Sequence, residues 1–263
     1  MPITLEQPAT PLLRPGDPAW GLGVTTSMEL RPCPITEVYA GLLWWPIHAA
    51  AGVLQVWREL THTGVPDGFT TSVRLLRFPA LPHIAEPVRG RWFVVADVVH
   101  RRRPAEADEI LRPLRALAPL RDSVTTMPSQ DLGLPQMEPG QPAPTVSEEL
   151  MLASLPLEAV TALLRVAGPD TLSLLTAVEL RYAGGEMRRA RLDNGVLTVI
   201  EGAYALSAAG RAPTPAAAAS VASGVAGVIS AMRPWAAMPL YLNLAGATRD
   251  PAIIWPAQPA PAH

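Results

Sequence analysis

Hydrophobic and polar positions along this chain follow two periods, one typical of strands and one typical of helices. Residues 37–45 and 91–100 are rich in valine, leucine and aromatic residues, which predicts buried strands. Residues 47–61 repeat apolar positions at helical spacing, whereas 69–78 alternate as a strand does. Further along, 105–118, 156–166 and 215–232 predict helices, and 173–182 and 196–209 predict strands.

Shorter strands are predicted at 24–30, 124–127 and 240–244, and the proline-rich stretch 128–147 is predicted to be a long surface loop. Because helices and strand hairpins are mixed, we predict an α+β fold. One large, mostly antiparallel sheet would carry helices on one face, with the other face open to a ligand cavity or a dimer partner. A single domain is expected over 21–250, between an N-terminal arm (1–20) and a flexible tail (251–263).

Composition limits the function classes. The net charge is −2 and charged residues make up 17%, so neither nucleic acid nor a membrane surface is an expected partner. Every basic residue apart from histidine is arginine, which excludes a Schiff-base lysine and indicates a GC-rich, actinobacterial type of genome. Cys33 is the single cysteine and no secretion signal is evident, so we expect a cytoplasmic location. The alanine-rich stretch 215–235 is expected to be a packed helix rather than a membrane span.

Several segments resemble, in order, flavin-linked oxidases of the berberine-bridge-enzyme type. The sequence VYAGLLWWP at 38–46 is similar to the family's VYGGLLLWP, and LTAVELRYAGG at 175–185 is similar to PLSSVELRHLGGA. MPLYLNLAG at 238–246 resembles the terminal YLNF element. At the start, 13–20 resembles the opening of the family's flavin domain, and 21–31 resembles the last strand of that domain.

The resemblance implies that the parts of the family that hold the flavin are missing from this sequence. No counterpart is found for the diphosphate-binding loop, for the R-x-G-G-H histidine, or for the C-terminal Y-D-P-x-x-x-F segment. No cofactor is therefore expected, and no flavin-binding residue is assigned. In the family the substrate lies between this sheet and the flavin, so the resemblance implies an uncovered, apolar concavity on the sheet face that lacks helices.

Four charged residues on predicted strands are the candidate catalytic groups: Arg74, Asp97, Glu179 and Arg181. Strand alternation places Glu179 and Arg181 on one face of their strand. A carboxylate and an arginine on a cavity floor could polarise or orient a carbonyl-rich substrate. The alternative is a set of structural cross-strand ion pairs.

The candidate substrate-binding residues are Tyr39, Trp44, Trp45, Tyr182, Tyr204, Tyr241 and Asn243. Adjacent strand residues point to opposite faces, so either Trp44 or Trp45 would face the open side, and Tyr39 shares the face of Trp45. These aromatic residues suit a large unsaturated ligand. Core packing beneath a helix is the alternative. The histidines show no metal-ligand spacing, so no metal site is expected.

Two functions of different classes follow from these expectations. The first is a cofactor-independent cyclase or rearrangement enzyme, of [4+2] or related type, acting on a hydrophobic polyketide-like intermediate as a homodimer. A shaped cavity that restricts a flexible polyene, with a donor that polarises a carbonyl, is what such a reaction needs. The second is a non-catalytic binding or partner subunit.

Overall fold

A computed structural model gives the fold and describes residues 35–82, 84–132, 144–171, 174–185 and 202–238. The predicted strands 24–30 and 240–244, the predicted arm and tail, and the candidate residues Tyr241 and Asn243 lie outside the described residues.

Within the described residues, nine strands form one antiparallel sheet. The strands are Glu37–Pro46 (β1), Phe69–Arg77 (β2), Trp92–His100 (β3), Arg121–Asp122 (β4), Thr125–Pro128 (β5), Thr145–Leu152 (β6), Ala177–Tyr182 (β7), Tyr204–Arg211 (β8) and Ala236–Ala237 (β9). Their order is β4-β1-β3-β2-β7-β8-β6-β9, with β5 also pairing with β1. The predicted α+β class with a large antiparallel sheet is confirmed.

The helices pack on one face of this sheet and build the main core with it. They are Ala50–His62 (α1), Pro104–Arg115 (α2), Leu157–Ala167 (α3) and Pro215–Met232 (α4). The α4 helix begins as its sequence predicts, because the Thr214 hydroxyl accepts a hydrogen bond from the Ala217 N–H at 3.2 Å and Pro215 occupies the first turn. Val221, Val225 and Val228 of α4 are buried in the core.

The stretch Pro215–Trp235 is, among the described residues, the one helical segment that is long and apolar enough to cross a membrane. Length and composition alone are a weak indication, since core helices meet the same criteria. One side of α4 packs against β6, β8 and α3.

Strand β6 corrects the sequence analysis, which assigned residues 128–147 to a loop and no strand to 148–152. The segment Thr145–Leu152 pairs with β8 along its whole length. Its glutamates, leucines and methionine favour a helix in isolation, and pairing with neighbouring strands overrides that preference. The two-residue strands β4 and β9 were also not predicted, because so short a segment shows no period.

The face opposite the helices is divided into an apolar half and a polar half. In the apolar half, six buried side chains form a group that we term the capped cluster: Leu42, Trp44, Phe78, Ile84, Phe93 and Val95. The segment that follows β2 covers this cluster and brings Ile84 into it. Arg89 holds that segment in shape by donating to the Ile84 carbonyl at 2.8 and 2.9 Å. The expected apolar concavity is therefore filled by the chain itself.

Candidate functional site

Strand register brings the four predicted catalytic residues together in the polar half of the open face. Ser72 of β2 lies opposite Asp97 of β3 on one side and opposite Arg181 of β7 on the other. Arg74 lies opposite Glu179 in the next row. Because directly opposed residues of antiparallel strands point to the same face, all five side chains share one surface. We call Arg74, Asp97, Glu179 and Arg181 the charged cluster.

Arg74 and Asp97 form the deeper ion pair of this cluster. Arg74 Nη2 donates to Asp97 Oδ1 at 2.8 Å, and Arg74 Nε lies 2.7 Å from Asp97 Oδ2 in a contact that lacks hydrogen-bond geometry. The Ser72 hydroxyl donates to Oδ2 at 3.2 Å. The two side chains are 16% and 20% exposed, so the pair is largely removed from water.

Glu179 and Arg181 form the outer pair. Arg181 donates from Nε at 3.0 Å and from Nη2 at 2.8 Å to the same Glu179 oxygen, Oε1. The Arg181 side chain is 57% exposed and that of Glu179 is 23% exposed. An exposed ion pair is held weakly, so Arg181 can turn toward a ligand at little cost. The second carboxylate oxygen of Glu179 is not engaged by Arg181.

Burial raises the pKa of the Asp97 carboxyl above its ordinary value, and the negative charge of Glu179 raises it further. Arg74 and the Ser72 hydroxyl act in the opposite direction by stabilising the carboxylate, but burial has the largest effect. The charged cluster thus contains two largely buried carboxyls, since the side chain of Asp97 is 20% exposed and that of Glu179 is 23% exposed. Burial makes the Asp97 carboxyl easier to protonate than that of an exposed aspartate.

A cavity of about 300 Å³ lies over the charged cluster, and we call it the floor cavity. The described residues that line it are Ala40, Gly41, Leu42, Thr70, Thr71, Ser72, Arg74, Asp97, Val98, Val99, Leu132, Glu179 and Arg181. Its volume is at the lower end of the range for small-molecule sites. Four strands, β1, β2, β3 and β7, supply all of this lining except Leu132.

Sequence reasoning did not single out Gly41 and Ser72 as parts of this lining. A Cβ on Gly41 would lie 2.5 Å from the backbone oxygen of Ser123, which closes the sheet edge there. Only glycine allows this approach. Strand alternation could have revealed the place of Ser72 in this lining, because Ser72 lies two residues before Arg74 and points to the same face.

Tyr39 and Trp45 belong to the helix-covered face, which corrects their assignment as ligand-binding residues. Trp45 is 1% exposed, and its Nε1 donates to the Leu117 carbonyl at 3.1 Å. The Tyr39 hydroxyl donates to Asp108 Oδ1 at 2.6 Å, toward α2. The alternative that these residues pack beneath a helix is the arrangement found.

Tyr204 and Trp44 are also placed apart from the floor cavity. The Tyr204 ring is in the main core, with its hydroxyl 2.9 Å from the Thr61 hydroxyl, and burial raises its pKa. Trp44 faces the open side but is enclosed in the capped cluster, where it contacts Phe78 and Phe93. Tyr182, at the end of β7, lines a different cavity. None of these aromatic residues lines the floor cavity.

Solved structures of berberine-bridge-enzyme-like proteins share this fold. The wild-type BBE-like 1 protein of Physcomitrella patens gives a TM-score of 0.63 at 8% identity over 85% of this chain and 49% of that chain. Berberine bridge enzyme from Eschscholzia californica gives 0.58 at 14% identity over 80% and 43%. BBE-like 28 from Arabidopsis thaliana gives 0.57 at 11% identity over 77% and 43%.

The predicted resemblance to berberine-bridge-enzyme-like flavin-linked oxidases is thus confirmed at the level of the fold. The chain spans less than half the length of each of these structures. No protein-family model and no curated protein sequence matches it.

The described residues do not fit the FAD that this fold family implies. A dinucleotide with three fused rings exceeds a cavity of about 300 Å³, and two ion pairs occupy its floor. Diphosphates are commonly held at helix N termini, but α1 to α4 pack on the opposite face of the sheet. Among the described residues, no group of three or more histidine, cysteine, aspartate or glutamate side chains could hold a metal ion.

Proposed function

We propose that this protein is a cofactor-independent cyclase or rearrangement enzyme whose substrate presents a carbonyl group to the charged cluster. The observation that carries the proposal is the floor cavity itself, whose base joins two largely buried carboxyls, Asp97 and Glu179, to the exposed guanidinium of Arg181. Carboxyl and guanidinium groups gathered in a cavity, with burial raising the pKa of Asp97, are typical of functional sites.

Arg181 is the proposed electrophilic group. Its guanidinium would turn from Glu179 to donate hydrogen bonds to the substrate carbonyl oxygen, which draws electron density from the conjugated system. Such donors act strongly when they are aimed at developing negative charge. Glu179 would then accept hydrogen bonds from the substrate or remove an acidic proton next to the carbonyl.

Arg74 and Asp97 are proposed as positioning residues beneath these groups. Their ion pair fixes the floor and keeps Ser72 oriented, so the reacting groups meet a surface that does not rearrange. The substrate is proposed to be a polyketide-like unsaturated ketone. Its polar head would lie on the charged cluster, and its hydrocarbon part would extend past the aliphatic lining formed by Ala40, Leu42 and Leu132. Restricting a flexible polyene in this way lowers the entropic barrier to ring closure.

The test is to incubate the protein with linear polyenes that carry a conjugated ketone. Liquid chromatography with mass spectrometry then detects a product of the same mass as the substrate. We expect a cyclic product isomeric with the substrate, formed about 100-fold more slowly by Arg181→Gln. Arg165→Gln, an exposed arginine on α3, is the matched control and should react at the wild-type rate. Consumption equal to that in buffer would contradict the proposal, and a product lighter by two hydrogens would indicate redox chemistry instead.

A second candidate function is that of a non-catalytic partner subunit. The comparison with solved structures favours it, because more than half of each of those chains lies outside the part that this chain matches. In this alternative a second polypeptide covers the floor cavity. Native mass spectrometry of the purified protein separates the two. A homodimer or monomer that turns over the polyene favours the cyclase, and a tight heteromer without turnover favours the subunit.

A further inference from the structure

The floor cavity has a long axis that crosses the strands. One row of opposed residues runs its full width, and it consists of Leu42 of β1, Asp97 of β3, Ser72 of β2 and Arg181 of β7. Neighbouring strands lie about 4.8 Å apart, so the three steps from β1 to β7 span about 14 Å. Along β1, β3 or β7, the lining side chains of the open face cover only two rows, about 7 Å apart. A ligand that fills the cavity therefore lies across the strands.

The two ends of this axis differ in chemistry. At the β7 end, Glu179 and Arg181 present charged groups, and Arg181 is the more exposed of the two. At the β1 end the lining is aliphatic and consists of Ala40, Leu42 and Leu132. Charged groups attract polar atoms, whereas an aliphatic wall favours hydrocarbon. A molecule with a polar head and a hydrocarbon tail thus has one favourable orientation, with its head on β7 and its tail on β1.

Leu132 forms the wall at the β1 end. Strand β5 pairs with the edge of β1 that faces away from β3, and the chain turns immediately after β5. The Ser129 hydroxyl donates to the Ile35 carbonyl at 2.7 Å, and the Ser129 N–H donates to the Thr36 carbonyl at 2.9 Å. These bonds hold the turn beside β1. The Leu132 side chain is half-buried and belongs to neither hydrophobic cluster, so it can be replaced without opening the core.

The capped cluster closes one long side of the floor cavity. Leu42 belongs to this cluster and also lines the cavity, so it marks the boundary between the two. In the next row, Trp44 lies opposite Val95, and both side chains are buried. A tail that reaches β1 cannot enter that filled half of the face, and its path continues toward Leu132.

The dimensions of the floor cavity define the length of chain that it holds. A water molecule takes up about 30 Å³ of liquid and a chain carbon with its hydrogens is of similar size, so about 300 Å³ holds about ten such groups. An extended backbone gains about 3.5 Å for every three bonds, so an axis of about 14 Å corresponds to about twelve bonds. Volume and length therefore agree on a buried chain of about ten to twelve atoms.

We propose that the floor cavity binds unsaturated ketones head to tail across the strands, and that Leu132 sets the length of hydrocarbon that is bound. Leu132 is thus a specificity-determining residue, and the substrate class is a ketone that buries a chain of about ten carbons. The ketone head rests on the proposed function. The length limit can be measured without turnover, because binding alone reports it.

Equilibrium dialysis with methyl ketones from 2-hexanone to 2-hexadecanone tests the length limit. We expect the affinity of the wild type to rise about fourfold for each added carbon, as burial of apolar surface predicts. The rise should stop at a limiting length of about ten carbons. Leu132→Ala should move the limiting length up by about three carbons, the number it removes from the side chain, and Leu132→Trp should move it down. Leu157→Ala, which changes an exposed leucine at the start of α3, is the matched control and should keep the wild-type profile.

An identical limiting length in wild type, Leu132→Ala and Leu132→Trp would overturn the proposal. Affinity that keeps rising through 2-hexadecanone, or absence of binding for every ketone, would overturn it as well. Arg181→Gln should weaken all the ketones by a similar factor and keep the limiting length, because it alters only the head end. A failure of ring closure with a limiting length that depends on Leu132 would contradict the proposed function alone. Ring closure with a limiting length that ignores Leu132 would contradict the length limit alone.

Discussion

The two faces of the sheet satisfy their polar groups in different ways. On the helix-covered face, polar atoms of aromatic side chains form hydrogen bonds that join the sheet to the helices or to the segments next to them. Trp45 donates to the carbonyl of Leu117, and Trp57 Nε1 donates to the Thr71 hydroxyl at 3.0 Å. Each of these hydrogen bonds fixes an aromatic ring within the core, so these residues stabilise the fold.

On the open face, the charged groups satisfy one another. Arg74 pairs with Asp97, Arg181 pairs with Glu179, and a cavity remains above them. The exposed Arg181 can leave Glu179 for a ligand at little cost, whereas the largely buried Arg74–Asp97 pair supports the floor. In this sheet the charged residues, and not most of the aromatic ones, lie on the face that we propose binds a ligand.

The largest expected effect is a difference in the free energy of unfolding between substitutions on the two faces of the sheet. Trp45→Ala should lower the free energy of unfolding by about 3–5 kcal/mol, because it leaves a cavity in the main core and an unpaired carbonyl at Leu117. Arg181→Ala, on the open face, should change it by no more than about 0.5 kcal/mol, since exposed ion pairs contribute little. Urea unfolding followed by circular dichroism measures both. Similar losses in the two variants would contradict the division of the sheet into a structural and a functional face.

The sequence alone predicted much of the scaffold, because segments with a regular spacing of hydrophobic residues form the expected helix or strand in the folded protein. Helix α4 begins and ends at the predicted residues, and β1 to β3 agree within two residues at each end. Strand β6 could not be predicted, since its residue preferences oppose its structure. Its place is set by pairing with β8, a contact between distant segments that no local pattern contains.

The candidate site was predicted in part for a similar reason. The charged residues were found because charges within apolar strands are conspicuous, and register then placed all four on one face. The face of Trp45 was undetermined, because alternation fixes only that Trp44 and Trp45 point oppositely. The segment around Ile84 fills the apolar half through long-range packing, which the spacing of hydrophobic residues along the sequence does not predict.

A smaller effect tests whether the Arg74–Asp97 pair is structural support. Arg74→Gln should cost about 2 kcal/mol, less than for a fully enclosed pair, because it leaves a mostly buried carboxylate without its cation. The double variant Arg74→Met with Asp97→Leu removes both charges and should recover most of that loss. Urea unfolding of the single and double variants gives the coupling free energy. Additive losses would show that the two side chains do not stabilise each other.

The smallest expected effect is a pH dependence of stability that originates on the open face. Burial raises the pKa of Asp97 above its ordinary 3.8, so between these two values the folded protein holds a proton that the unfolded chain has released. The resulting stabilisation is complete below 3.8 and is lost as the pH rises through the folded value. The free energy of unfolding of wild type, minus that of Asp97→Asn, should therefore fall as the pH rises from acid to neutral.

The attraction of Arg74 acts only on the ionised form of Asp97, so it is already included in the shift of the Asp97 pKa and opposes the effect of burial. Unfolding curves collected at a series of pH values, with Glu158→Gln on the exposed side of α3 as the matched control, measure that difference directly. If the difference increased with pH, the attraction of Arg74 would outweigh the burial of Asp97. The pKa of Asp97 would then lie below its ordinary value, and Asp97 would support the floor cavity as the charged partner of Arg74.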